Sequence, residues 1–152
     1  MGMRISIVDY QNSLQMNTEE KLLNKNTNPT SMRILVYDFL SHQQVALSLS
    51  EIENQFFNAD RTTIYRTLKT FEEKGIVHSI QEQNTSKYIL CHDGCDEHTH
   101  KDWHLHFYCK MCKQTTCKED FTIPIQNSNF RIDEVRLFAK GICENCMKEG
   151  LQ

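Results

Sequence analysis

The stretch DRTTIYRTLKTFEEKGIV, residues 60–77, decides the fold of the N-terminal half of this chain. Asp60 is a suitable N-cap, and Gly75 is a suitable stop, for a helix between them. Apolar residues at helical spacing predict its buried face: Ile64, Leu68 and Phe71. The opposite face carries groups that suit DNA phosphates and base edges: Arg61, Thr62, Tyr65, Arg66 and Lys69.

The flanking segments complete a DNA-binding architecture. Upstream, Thr30 caps a helix predicted over Ser31–Ser41, and a second helix is predicted over Ser50–Phe57, with Ser50 as N-cap. Downstream, two strand-like runs are joined by the polar turn Glu82–Ser86; the runs are Ile76–Gln81 and Lys87–Cys91. Three helices followed by a hairpin predict a winged helix-turn-helix.

The composition changes after this unit. Residues 91–106 (CHDGCDEHTHKDWHLH) contain five of the seven histidines and two of the seven cysteines. The second half has little apolar mass, with strand-like runs at Leu105–Tyr108, Arg131–Ile132 and Val135–Ala139. We predict an α+β chain made of an N-terminal arm with a helix around Thr18–Asn24 (1–29), a winged-helix domain (30–91), a hinge loop (92–103) and a small α/β zinc-stabilised dimerisation domain (104–152).

The cysteines indicate metal ligands or redox chemistry in a reducing compartment. Their number is odd, so they cannot all pair within one chain. The opening residues 1–10 contain no secretory segment, and no run of about eighteen apolar residues could span a membrane. We therefore expect a cytoplasmic protein with no membrane partner. The net charge of −3 neither supports nor excludes a nucleic-acid partner, since a basic surface can be local.

Two C-x-x-C pairs, Cys109/Cys112 and Cys143/Cys146, could supply the four thiolates of a structural Zn²⁺ site. Such a site would stabilise a small domain with a thin core. The alternative is a set of redox-active or disulfide-forming pairs.

A second group of histidines and cysteines could bind a regulatory metal. His104 and His106 are two residues apart, so they share a face of a strand. His78 begins the wing and Cys91 ends it, and antiparallel pairing would bring them together. Three imidazoles and one thiolate suit zinc. A site of these four residues would join the two halves of the chain. Three nearby residues stay unassigned: Cys95, His98 and His100.

The segment from Asp60 to Leu68, with Gly75-Ile76-Val77 after it, resembles the recognition helix and wing start of the ferric uptake regulator family. The resemblance covers about residues 30–146. It implies that Tyr65 and Arg66 contact bases, that the protein forms a homodimer on an AT-rich inverted repeat in double-stranded DNA, and that the two C-x-x-C pairs bind structural zinc.

The resemblance also bears on the regulatory metal. Histidines at the positions of His104 and His106 are widespread in the family, and those of His78 and Cys91 are similar to the zinc-sensing branch. Iron sensors have a histidine where this chain has Ala46. Leu105 and Trp103 depart from a further family site, which the chain is therefore expected to lack. Cys117 stands where the family often has a metal-binding glutamate, which makes it a fourth or alternative ligand.

These features predict a zinc-responsive transcriptional repressor of metal-homeostasis genes and not an enzyme. Iron- or peroxide-responsive regulators of the same family are the alternatives, with Fe²⁺ or Mn²⁺ as the regulatory ion. A zinc deaminase would need H-x-E and P-C-x-x-C motifs, which the sequence lacks. A zinc-ribbon interaction module would leave the winged helix unexplained.

Overall fold

The computed structural model describes residues 18–82, 84–91, 104–122 and 135–150, together with residue 129. The predicted hinge loop 92–103 and the predicted strand Arg131–Ile132 lie outside the described residues. The described chain forms two units that mix helices with small sheets, which confirms the predicted α+β class. No helix in these ranges has the length and apolar character needed to cross a membrane.

Two helices open the described chain where the sequence predicts them. Residues 18–24 form α1, and α2 covers Ser31–Ser41. Thr30 is the N-cap of α2, and its side-chain oxygen accepts a hydrogen bond from the backbone N–H of Arg33. The inner side of α2 is apolar and buried at Ile34, Val36 and Leu40.

The next helix, α3, covers Leu49–Glu53 and starts earlier than predicted. Its N-cap is Ser48 and not Ser50, because Ser48 and Glu51 form a capping box. The Ser48 side chain accepts from the Glu51 N–H, and the Glu51 carboxylate accepts from the Ser48 N–H at 2.7 Å. The chain then passes into turns, so the predicted extension of this helix to Phe57 is wrong.

Helix α4 covers Arg61–Glu73, between the predicted N-cap and the predicted stop. The Asp60 carboxylate accepts from a backbone N–H of the first turn at 2.8 Å. Gly75 has φ +63°, and its N–H bonds back to the carbonyl of Glu72 at 3.2 Å, while the next N–H bonds to the carbonyl of Phe71 at 2.8 Å. This Schellman motif requires a left-handed residue, so Gly75 fixes where the chain enters the wing.

The wing is a three-stranded antiparallel sheet, whereas the sequence predicted two strands. Strand β1 (Leu47–Ser48) pairs with β3 (Thr85–Leu90), and β3 pairs with β2 (Val77–Glu82). The turn between β2 and β3 is shorter than predicted because Glu82 pairs with Thr85. Strand β1 carries no periodic signal in two residues, so only its pairing with β3 reveals it.

The core of this unit lies between the helices and the wing. Ile64, Leu68 and Phe71 of α4 have no exposed surface, which confirms the predicted buried face. The ring of Phe71 meets that of Tyr37 edge-on, with centroids 6.4 Å apart. Burial of side chains of this size stabilises a fold by about 1.5–3 kcal/mol each. These contacts hold α4 firmly and leave its other face exposed.

The C-terminal unit is built on a second sheet in the order β5-β4-β6. Strand β4 (His104–Cys109) is antiparallel to β5 (Thr115–Thr122) and parallel to β6 (Leu137–Gly141), and helix α5 covers Glu144–Lys148. Strands β4 and β6 overlap predicted strands. Strand β5 was not predicted, because its polar sequence TTCKEDFT has no apolar alternation.

The two units are in direct contact. The backbone N–H of Ala46, just before β1, donates to the carbonyl of Thr115 on β5 at 2.8 Å. Ala46, Ile80 and Ile89 form a small buried cluster, and Cys117 packs against it. Strand β5 therefore lies beside the wing.

Candidate metal centres and DNA-facing helix

The predicted DNA-reading face of α4 is exposed. The five residues that the sequence singled out all lie on the surface: Arg61, Thr62, Tyr65, Arg66 and Lys69. Tyr65 keeps 43% of its surface exposed, which is high for an aromatic side chain. An exposed ring and guanidinium on adjacent positions of a rigid helix can reach base edges in a groove.

Two of the cations on this face are held by carboxylates. Arg61 forms an ion pair with Glu53 of α3. Lys69 lies 2.8 Å from the carboxylate of Glu72, and this hydrogen bond raises the pKa of Lys69. Glu72 also accepts a hydrogen bond from Ser79 of the wing. These carboxylates orient the cations, and they also oppose the approach of DNA phosphates.

The two C-x-x-C pairs form one cluster of four sulfurs. The Sγ atoms of Cys109 and Cys146 are 3.9 Å apart, and so are those of Cys112 and Cys143. All four lie within 4.8 Å of one another. Sulfurs about 3.8 Å apart are what a tetrahedral ion with Zn–S bonds of about 2.3 Å requires, whereas a disulfide bond is about 2.05 Å. The six cysteines in the described ranges are free thiols.

Burial and crowding make the thiols of this cluster unequal. Burial opposes ionisation of Cys109, but backbone N–H groups, led by that of Cys143, outweigh it and lower the pKa of the Cys109 thiol to about 6. The hydrogen bond with Cys143, burial and the neighbouring sulfurs raise the pKa of the Cys146 thiol to about 12. Four thiolates this close need a cation, and the donor set suits zinc.

A second cluster lies between the two units. It contains His78 of β2, His104 and His106 of β4, and Cys117 of β5, whose ligand atoms all lie within 4.8 Å of one another. The Nε2 atoms of His78 and His106 are 3.2 Å apart, and the Sγ of Cys117 is 3.5 Å from Nε2 of His78. We call these four residues the hinge cluster.

The local structure explains how these side chains converge. His104 and His106 occupy alternate positions of β4, and their ring centroids are 4.8 Å apart. Cys117 is the direct partner of His106 across the β4–β5 ladder. His78 and His104 are buried, and the other two are half-buried. Nitrogens about 3.3 Å apart fit a tetrahedral ion with Zn–N bonds of about 2.0 Å, so the donor set can hold zinc.

Cys91 lies beside the hinge cluster, on the other side of His78. Its Sγ is 3.4 Å from Nδ1 of His78, whereas His106 and Cys117 face Nε2. The expected proximity of His78 and Cys91 arises from the β2–β3 ladder, where Cys91 is the diagonal neighbour of His78 beyond Ile89. The structure thus gathers three of the four predicted ligands with Cys117. Cys95, His98 and His100 lie outside the described residues.

Comparison with known proteins identifies the family. The profile described as the ferric uptake regulator family matches residues 24–139, which is most of the chain and includes α4, the wing and the hinge cluster. A search of curated protein sequences finds no match.

Solved structures share the fold. A zinc uptake regulator complexed with zinc and DNA is 20% identical, with a TM-score of 0.65 over 93% of this chain and 97% of that one. The Vibrio cholerae ferric uptake regulator is 17% identical, with a TM-score of 0.58 over 82% and 98%. Holo XcZur is 18% identical, with a TM-score of 0.62 over 90% and 99%. The chain belongs to the ferric uptake regulator family of metal-responsive transcriptional regulators.

Proposed function

We propose that this chain is a zinc-responsive transcriptional repressor that binds DNA as a homodimer. The four-cysteine cluster holds structural zinc, and the hinge cluster holds the regulatory zinc. The proposal rests on one observation: the residues of the hinge cluster come from both units. His78 belongs to the wing, whereas His104, His106 and Cys117 belong to the C-terminal sheet.

The donor set favours zinc over the alternatives. Three imidazoles and one thiolate provide four soft or borderline ligands in a compact, largely buried site. Mn²⁺ prefers carboxylate and water oxygens, and a thiolate moves the preference from ferrous iron toward zinc. Two of the similar solved structures agree with this preference. One is described as a zinc uptake regulator complexed with zinc and DNA, and the other as holo XcZur.

Zinc bound at the hinge cluster would supply bonds that cross from one unit to the other. His78 lies three residues beyond Gly75, the stop of α4, so an anchor at His78 also limits how α4 can turn relative to the C-terminal sheet. In a dimer the two α4 helices would then be held at one spacing. Without metal, the two units would be free to adopt other relative orientations. Zinc shifts the equilibrium toward the fixed orientation only to the extent that it binds that orientation more tightly than the others.

The exposed face of α4 would read the operator. Tyr65 and Arg66 are the proposed base contacts, and Arg61, Thr62 and Lys69 are the proposed phosphate or base contacts. An AT-rich inverted repeat would match the symmetry of the dimer. The exposure of this face and its position before the wing support the assignment.

The test is a separate titration of Zn²⁺, Fe²⁺ and Mn²⁺ into protein whose four-cysteine site alone is filled. Binding to an AT-rich inverted-repeat duplex is measured at one salt concentration, because phosphate contacts make affinity depend steeply on salt. We expect zinc alone to restore tight binding. We expect His78→Ala to remove the zinc response, while His42→Ala, at the exposed end of α2, keeps it.

An equal or stronger response to Fe²⁺ would reject the zinc assignment and favour an iron or peroxide sensor. An unchanged zinc response in His78→Ala would reject the hinge cluster as the regulatory site. Gel filtration and circular dichroism of each variant show whether the fold and the dimer are intact, so loss of the response can be assigned to the site.

A further inference from the structure

A largely buried polar cluster, separate from the metal ligands, also joins the two units. Glu82 ends β2 and Lys87 lies on β3, and their charged groups are 3.0 Å apart. Their side chains are only 12% and 15% exposed. Charged side chains are rarely this buried unless they are paired and hydrogen-bonded, because removing them from water is costly.

Further partners of this ion pair come from the C-terminal unit. The hydroxyl of Thr115 donates to the Glu82 carboxylate at 2.6 Å, and the Lys87 ammonium donates to the carbonyl of Lys113 at 3.3 Å. Thr115 has no exposed surface. The Lys87 ammonium also lies 5.9 Å from the centre of the Tyr108 ring. We call Glu82, Lys87, Lys113 and Thr115 the dock.

The residues of the dock are close in sequence to residues of both metal clusters. Lys113 directly follows Cys112 and has φ +61°, at the turn that closes the first cysteine pair. Thr115 is two residues before Cys117 on β5, and Glu82 is four residues after His78 on β2. Fixing Glu82 against Thr115 therefore also fixes β2 against β5, the strands that carry two of the hinge ligands.

We propose that the dock is a metal-independent positioning device that holds the wing against the C-terminal sheet and preorganises the hinge cluster. Its contacts use charge-assisted hydrogen bonds, which are stronger than neutral ones. A site whose ligands are already assembled binds its ion more tightly, because less of the binding free energy is used in closing the hinge. The metal-binding part rests on the proposed function, whereas the docking part does not.

The test uses Thr115→Val, which keeps the shape and the backbone carbonyl of residue 115 while removing the hydroxyl. Glu82→Gln is the second variant. The matched controls are Thr116→Val, at the next position of β5, and Glu20→Gln, on the exposed side of α1. All are studied as full chains with the four-cysteine site filled.

Two measurements are made on each protein. The first is hydrogen exchange of the Ala46 amide by NMR, because this N–H bonds to the Thr115 carbonyl across the two units and reports docking without hinge metal. The second is hinge zinc affinity by competition with a chelator. We expect Thr115→Val and Glu82→Gln to accelerate Ala46 exchange and weaken zinc binding, each about tenfold, equivalent to about 1.4 kcal/mol.

If the Ala46 amide exchanged at the wild-type rate in both variants, the proposal that the dock holds the two units together would be wrong. Faster exchange with unchanged zinc affinity would overturn preorganisation. Equal effects in the two controls would show that any substitution loosens the fold, and would also overturn the proposal. A wild-type protein that binds no zinc at the hinge would instead reject the proposed function, and the Ala46 exchange rates would still decide the dock.

Discussion

Replacing Cys117 with alanine, and separately Cys91, tests which sulfur coordinates the regulatory metal. Cys117 lies 3.5 Å from Nε2 of His78, the nitrogen that faces His106. Cys91 lies 3.4 Å from Nδ1, the opposite nitrogen of the same ring. An imidazole binds one ion through one nitrogen, so we expect Cys117 to be a ligand and Cys91 to orient the His78 ring.

The two substitutions should differ in magnitude. Loss of a partner that orients a metal-bound histidine weakens metal binding by about 10–100-fold, or about 1.4–2.7 kcal/mol, and this is the range expected for Cys91→Ala. Cys117→Ala leaves three imidazoles, which still hold zinc with a water in the fourth position. Since a thiolate bond is lost outright, we expect a weakening of about 1,000-fold, or about 4 kcal/mol.

Cobalt substitution distinguishes the two roles directly. With the four-cysteine site filled by zinc, Co²⁺ titrated into the hinge cluster should show a thiolate-to-cobalt charge-transfer band in the wild-type protein. The band should persist in Cys91→Ala and disappear in Cys117→Ala. The opposite pattern would refute the reasoning from ring geometry and make Cys91 the ligand.

Three further predictions concern helix α4 and the four-cysteine site. Glu53→Gln frees Arg61 from its ion pair in each subunit. The dependence of log affinity on log salt should therefore steepen by about 0.9 per subunit, or about 1.8 for the dimer, one phosphate contact from each subunit; equal slopes across a salt series would contradict this. Cys143→Ser should remove the zinc-dependent unfolding transition of the C-terminal unit, because structural zinc contributes about 10 kcal/mol and the apolar core there is thin; a wild-type melting curve would argue against a structural site. Zinc affinity of the four-cysteine site should rise from pH 6 to pH 8, because the Cys146 thiol, with a pKa of about 12, must lose its proton to bind metal; competition titrations showing no pH dependence would contradict that sign.

The boundaries of α2 and α4 could be predicted because their signals are local. Thr30, Asp60 and Gly75 act on backbone groups within one or two turns, and each does so as predicted. The start of α3 was misplaced because two serines, Ser48 and Ser50, both suit an N-cap. Only the reciprocal bond with Glu51 selects the first of them.

The strands, in contrast, could not all be predicted from local sequence. Strand β5 is polar along its length, and its pairing with β4 gives it an extended conformation that its own residues do not indicate. The dock escaped prediction for the same reason. Glu82, Lys87 and Thr115 are ordinary surface residue types, and only the folded structure brings them into contact.

By itself, the sequence determined the winged helix, the exposed face of α4, the four-cysteine set and three of the four residues of the hinge cluster. These depend on caps, periodicity and ligand spacing, which act over a few residues. Only the tertiary structure placed the Cys117 sulfur at Nε2 of His78 and the Cys91 sulfur at Nδ1 of the same ring. Strand pairing between distant segments sets this orientation, which no local pattern in the sequence encodes.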